Sequence, residues 1–314
     1  MAKILEYAGY FVDFLRARQK IIITAAILLP FVMSGVFWLL SGLIINPPGK
    51  RCSIEHFAYC KGPEEVGLKY ETIDLKTEDG VDIKGWFIES EGSDRAVIIV
   101  HGHGSSWFEG IRYSKALHDA GINLFLINMR GNSGHPTKGY FTMGYHEQKD
   151  VKAGISFLLK EKNIQHLGIY GFSMGGATSI VRMADDKRIK AGAFNSAFNS
   201  PVLQIGEEAS RKYYLPYFPS VWATKSIAEY RTGSDFDKVN VLTSISMISP
   251  RPVMIMHSYG DGRIGIDQAK SIFAAAKEPK EKWFPDYPGH ARLWNGNNKL
   301  AEQKVTDFFI RHLK

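Results

Sequence analysis

A mostly parallel α/β fold behind a membrane-spanning N-terminal helix is predicted by three features of this 314-residue sequence. From about residue 68 onward, short runs that are apolar throughout alternate with helical patterns, which implies a sheet covered by helices on both faces. Residues 21–45 form a 25-residue stretch without a charge, long enough as a helix to cross a hydrocarbon core of ~30 Å. A single G-x-S-x-G follows one of the apolar runs and opens a helical pattern.

Composition narrows the function classes. The chain is 45% hydrophobic and 23% charged, ordinary for a globular protein and unlike a disordered chain or a coiled coil. No period of 20–50 residues recurs, so a solenoid or propeller is not expected. Lys and Arg exceed Asp and Glu by 39 to 32, a net charge of +7. That excess is spread thinly, with no dense basic run or zinc-finger spacing, so nucleic acid is not an expected partner. There is no G-x-x-x-x-G-K, H-E-x-x-H or C-x-x-C, and no cofactor or metal is expected.

The elements follow in order. Residues 1–20 hold Ile4, Leu5, Ala8, Phe11, Val12 and Leu15 at helical spacing, either an interfacial helix or an extension of the anchor. Residues 21–45 read as an uncleaved anchor. Pro30 lies inside, which membrane helices tolerate, and no small-x-small cleavage pair follows the run. Lys3, Arg16, Arg18 and Lys20 precede it and Lys50, Arg51 and Lys61 follow. That four-to-three bias favours a cytoplasmic N-terminus and a catalytic domain on the outer side. Residues 46–67 read as a linker. Its Cys52 and Cys60 could pair in an oxidising compartment or stay as free thiols.

Residues 68–314 read as one α/β domain. Residues 69–76 and 81–89 alternate apolar and polar around Glu78-Asp79-Gly80, a hairpin signature. Apolar strands are predicted at 96–100, 122–127, 167–170, 191–194 and 252–256. Helices are predicted at 107–120, 145–160, 174–184, 267–276 and 299–312. Residues 199–249 interrupt the alternation with Tyr213, Tyr214, Tyr217, Phe218 and Trp222. The segment is too long for a plain loop and reads as a helical cap over the strand ends or as a peripheral insertion.

The chemistry-bearing residues fall after strands. In Gly171-Phe172-Ser173-Met174-Gly175 a sharp strand-to-helix turn presents Ser173 as nucleophile above the sheet. A serine hydroxyl needs a base and a group that orients the base. On this kind of turn the partners follow in the order serine, acid, histidine. Asp261, just past the run at 252–256, is the expected acid; Asp267 suits the start of the next helix better. Of His290 and His312, the two histidines beyond Asp261, His290 sits in a loop and His312 on the final helix, so His290 is the expected base. The oxyanion donors are expected to be the backbone N–H groups of Met174, after the nucleophile, and His103, in the loop after the strand at 96–100. A metal site at His101 and His103 is the competing reading of that loop, but it lacks further ligands.

These pieces together resemble a serine hydrolase of the α/β-hydrolase superfamily, in its prolyl-oligopeptidase-like, membrane-anchored bacterial branch. The matching segments are Thr77-Glu78-Asp79-Gly80 with Gly85-Trp86, His101-Gly102-His103-Gly104-Ser105-Ser106, Arg130-Gly131-Asn132-Ser133-Gly134, Gly144-Tyr145-His146-Glu147 with Asp150, Gly171 to Gly176, and Ser249-Pro250-Arg251-Pro252. They span about residues 68–314. The chain departs from the family pattern at His257-Ser258, where the family has His-Gly, and at Arg263-Ile264-Gly265, where it has Val-Pro after the acid. The resemblance implies hydrolysis through an acyl-enzyme of an ester, thioester, amide or peptide. A small-molecule or lipid-like carboxylic ester is the expected substrate. A peptidase or amidase is the alternative, and a non-catalytic binding or scaffold module on the same fold is the reading outside enzymes. Arg130 is expected to brace loops.

Overall fold

The computed structural model describes residues 2–47, 52–131 and 139–314, with side chains from residue 18 onward. Lys50, Arg51 and the Asn132-Ser133-Gly134 part of the arginine motif lie outside the described residues, as do the side chains of the helical-spacing residues before the span.

The N-terminal 44 residues form one helix, α1 (Ala2–Ile45), which carries Pro30 within it. The expected interfacial segment and the apolar run are therefore one continuous element, the extension reading of the two. Its portion from Arg18 to Ile45 has a mean hydropathy of 2.3 and is long and apolar enough to cross a membrane. Two short turns follow, α2 (Ile54–Phe57) and the 3-10 turn Pro63–Val66. Cys52 and Cys60 are joined in a disulfide with Cα atoms 5.4 Å apart.

Eight strands then build one sheet: β1 (Glu71–Lys76), β2 (Asp82–Ile88), β3 (Arg95–Val100), β4 (Asn123–Asn128), β5 (His166–Phe172), β6 (Ile189–Asn195), β7 (Val253–Met256) and β8 (Lys280–Trp283). Their order is β1-β2-β4-β3-β5-β6-β7-β8. β2 runs antiparallel to both of its neighbours, and every other pairing is parallel. Strand β8 is absent from the sequence-based expectation. Its Lys280-Glu-Lys-Trp carries no apolar run, because it is an edge strand with half-exposed side chains.

The helices are α3 (Phe108–Asp119), α4 (Glu147–Lys160), α5 (Met174–Asp185), α6 (Pro201–Tyr213), α7 (Trp222–Thr232), α8 (Val241–Ser246), α9 (Ile266–Ala275), α10 (Leu293–Gly296) and α11 (Asn298–His312). They cover both faces of the sheet. Val151, Ile155, Ile180 and Ile272 pack one side, and Ile111, Leu117, Val305 and Phe308 the other. The chain leaves β3 through α3 to β4 on one side and returns through α4 to β5 on the other. The reversal puts the loops after β3 and β5 side by side at the carboxyl edge, where such sheets hold ligands.

One buried ion network fixes the loops near that edge. The hairpin turn places Asp79, and α4 places Asp150. Arg130 donates to Asp79 through Nη1 at 2.8 Å and to Asp150 through Nη2 at 2.7 Å. Asp150 is fully buried and Arg130 nearly so. Two pieces of the sequence motif, the turn and the arginine, thus form one brace, as expected of Arg130.

The end of α1 is part of the domain rather than the start of a free linker. The last carbonyls of a helix have no partner of their own. Here the N–H of Phe141 donates to the Ile45 carbonyl at 2.9 Å, and Nε2 of His103 lies 2.6 Å from the Ile44 carbonyl. Arg231 of α7 donates to Ser41 Oγ at 2.7 Å and to the Trp38 carbonyl at 3.0 Å, its guanidinium 4.4 Å from the Trp38 ring centre. Ser41 and Ile45 are fully buried.

Candidate active site

The strand-to-helix turn after β5 is built on close backbone approach. Ser173 sits at φ 54°, ψ −121° between β5 and α5, a conformation costly for any residue with a Cβ and held only where its surroundings enforce it. A Cβ at Gly171 would lie 2.4 Å from the Gly175 carbonyl oxygen, and one at Gly175 would lie 2.3 Å from the Val100 and His101 oxygens. Only glycine fits at either position. The turn presents Ser173 at the carboxyl edge with 8% of its surface accessible.

Asp261 and His290 converge on it from separate loops. Ser173 Oγ lies 2.8 Å from His290 Nε2, and His290 Nδ1 lies 2.7 Å from Asp261 Oδ2. The other carboxylate oxygen of Asp261 accepts the N–H groups of Arg263 at 2.9 Å and Ile264 at 3.0 Å. Burial works to raise the Asp261 carboxyl, but the hydrogen bond and charge of His290 and the Ile264 N–H outweigh it and bring the pKa down to about 2. An ionised Asp261 is the hydrogen-bond acceptor for an N–H at His290 Nδ1, the arrangement that leaves Nε2 facing the serine.

The departure from the family pattern at Ser258 has a structural use. Its hydroxyl donates to the Tyr287 carbonyl and accepts the N–H groups of Tyr287 at 2.8 Å and Gly260 at 3.2 Å. It stitches the loop of Asp261 to the loop of His290. Arg263 and Ile264 supply the N–H groups that hold the acid, so the second departure also leaves the acid in place.

The other residues singled out in the sequence sort as follows. Asp267 lies in the first turn of α9, exposed and paired with Lys270 at 3.0 Å. His312 packs its ring 4.9 Å from Phe308, with Nε2 3.5 Å from Glu281. Neither is near Ser173 by any contact. His101 accepts the Met129 N–H at Nε2 and lies 2.8 Å from the Gly102 carbonyl at Nδ1. Both of its ring nitrogens therefore have protein partners, and no nitrogen is left to ligate a metal. Met174 opens α5, where backbone N–H groups have no intrahelical acceptor. The loop after β3 crosses directly over the turn: a Cβ at Gly102 would be 3.1 Å from that of Ser173. His103 is the next residue along it.

Sequence reasoning missed Glu109 and Arg112. Glu109 is buried on α3 and accepts the Gly102 N–H at 2.8 Å. Arg112, one turn on and equally buried, faces it at 3.6 Å and donates to the Ala291 carbonyl at 3.4 Å, beside His290. The pair braces the loop over Ser173 and the histidine loop together. Burial alone would raise the Glu109 carboxyl, yet Arg112 above all holds it below its ordinary value. A Glu and an Arg three residues apart on a helix read as a surface pair, and no signal in the sequence marks them as buried.

A family model for the prolyl oligopeptidase family matches residues 108–314. The chain belongs to that family. Uncharacterized protein YqkD of Bacillus subtilis is 25% identical over 236 residues, covering 73% of this chain and 75% of that protein. Uncharacterized protein YfhR of Escherichia coli is 24% identical over 278 residues, covering 84% and 89%. Among solved structures, an esterase of Pyrococcus furiosus superposes with a TM-score of 0.70 at 23% identity, covering 86% of this chain and 99% of that one. An acylaminoacyl peptidase of Pyrococcus horikoshii superposes with a TM-score of 0.60 at 17% identity, covering 79% and 42%. At these identities the two structures bear on the fold, which is that of the α/β-hydrolases.

Proposed function

We propose that this member of the prolyl oligopeptidase family is a membrane-anchored serine hydrolase that cleaves carboxylic esters through an acyl-enzyme. The observation that carries the reading is the continuous chain from Ser173 Oγ through His290 to Asp261, at 2.8 and 2.7 Å. His290 takes the Ser173 proton as Oγ bonds the substrate carbonyl carbon. The N–H groups of Met174 and His103 are the donors for the oxyanion. Collapse breaks the carbonyl–oxygen bond, and the alcohol leaves with the proton from His290. Water then repeats the sequence on the acyl-enzyme, releasing the carboxylic acid and restoring Ser173.

A fluorophosphonate probe should label the full-length folded protein on Ser173. A panel of short and long p-nitrophenyl esters set against aminoacyl amides should show turnover of the esters. Folded protein without labelling would falsify the hydrolase reading, and turnover confined to the amides would replace the esterase with a peptidase.

Three contacts support an anchor that is retained: those of Ile44, Ile45 and Ser41 with His103, Phe141 and Arg231. Removing α1 would strip the domain of them. The basic residues before the span and the Cys52–Cys60 disulfide support a domain outside the cytoplasmic membrane. Protease added to spheroplasts should digest the domain, and non-reducing mass analysis should find the two cysteines linked. Protection until the membrane is breached, with both thiols free, would place the site in the cytoplasm.

A further inference from the structure

A cavity of about 300 Å³ lies beside the loop over Ser173, walled on one side by the end of α1 and on the other by the insertion between β6 and β7. Leu40, Leu43, Ile44 and Pro47 form the first wall, and Ile205 and Val221 belong to the second. Ser173 and His290 are not among its walls. It begins at His103 and Gly104, one loop from the nucleophile, and Arg263 of the acid loop also borders it. Pro47 lies close to this loop: a Cβ at Gly104 would be 3.4 Å from the Pro47 ring.

Two features flank the cavity. Its first wall continues into the helix that is long and apolar enough to span a membrane. Around it, the insertion exposes Tyr213, Tyr214, Tyr217, Phe218 and Trp222, with Tyr214 at 90% and Phe218 at 73% exposure. Large aromatic residues left open to solvent beside the end of an apolar helix are the pattern of a membrane–water interface. The charged residues of the lining, Glu208, Lys212 and Arg263, are paired with one another: Glu208 lies 3.1 Å from Arg263 and 2.5 Å from Lys212. The walls from α1 offer only apolar side chains.

We infer that this cavity holds the acyl chain of a long-chain ester drawn from the bilayer, and that the last two turns of the anchor are one wall of the substrate site. The inference rests on the ester-hydrolase reading above and names its substrate class. The acyl carbonyl sits at Ser173 and the chain runs past His103 into the cavity. The alcohol half leaves on the opposite side, and the released fatty acid can return to the membrane. The anchor then serves recognition as well as attachment.

The test uses the full-length protein in detergent micelles, with p-nitrophenyl laurate and p-nitrophenyl butyrate as probes. Turnover is normalised to the number of sites labelled by a small fluorophosphonate. Two variants fill the cavity from opposite walls: Ala209→Trp from the insertion and Leu43→Trp from the anchor. Each methylene kept out of an apolar site lowers the ratio about fourfold. With about two to three of the eight extra methylenes of laurate excluded, the laurate-to-butyrate ratio of kcat/KM should fall about 15- to 60-fold in both variants. A ratio within twofold of the parent in either labelled variant overturns the inference and leaves the hydrolase reading intact. Absence of labelling and of all ester turnover in the parent protein would instead remove the reading on which the inference rests.

Discussion

Ser173→Ala is expected to lower ester turnover on the order of 10⁶-fold and to abolish fluorophosphonate labelling. In the proposed mechanism the side chain is the nucleophile, and its oxygen contributes one hydrogen bond, to His290 at 2.8 Å. The fold should be unaffected. Ser173 already carries a Cβ at φ 54°, so alanine introduces no strain that serine lacks. His290→Ala should lose nearly as much, and the double variant no more than either alone, because the two residues act as a unit. Turnover and thermal melting measured on the three variants check this. Substantial turnover in Ser173→Ala would overturn the mechanism.

The largest effect on stability is expected at Arg130. Replacing it with alanine leaves the fully buried Asp150 without its bidentate partner, and breaking a buried pair on one side costs about 3–5 kcal/mol. An exposed pair behaves differently: Lys84 and Asp74 lie 2.6 Å apart on the surface, and deleting Lys84 should cost less than about 1 kcal/mol. Removing both members of the buried pair, as in Arg130→Met with Asp150→Leu, should recover part of the loss because no fully buried charge is stranded, while the part-exposed Asp79 loses Arg130 but keeps Lys149 at 3.0 Å. Urea denaturation of the three variants and the parent protein measures each difference. A loss below 1 kcal/mol for Arg130→Ala would show that the network is not what holds the loops.

What was legible in the sequence was whatever depends on local chemistry. Ser173 could be read because a five-residue turn, an apolar strand before it and a helix after it are all short-range signals. Asp261 and His290 followed from chain order and from being in loops, and the structure brings both to Ser173. Strand β8 was not legible because an edge strand with polar side chains lacks the apolar run that marks a central one. The docking of α1 was hidden for a different reason. Leucines and isoleucines that face lipid cannot be told by type from those that face protein: Leu39 is 73% exposed while Ile45 is fully buried. The run holds three hydroxyls, Thr24, Ser34 and Ser41; Thr24 and Ser34 are exposed and Ser41 is buried, a difference that residue type does not reveal. Glu109 and Arg112 stayed hidden because charge on a helix usually means solvent.

The fixed end of α1 has a kinetic consequence. A hydrolase on a loose tether would search a hemisphere of solution, and its rate would follow bulk substrate concentration. Here Ile44 and Ile45 hand the helix directly to His103 and Phe141, so a helix seated in a bilayer holds the nucleophile at one height and one orientation above it. For an ester dissolved in that bilayer, as proposed above, the search would be two-dimensional. The quantity that sets the rate is then the number of ester molecules per unit membrane area. Diluting the bilayer with inert lipid slows such an enzyme, whereas adding more vesicles of the same composition does not.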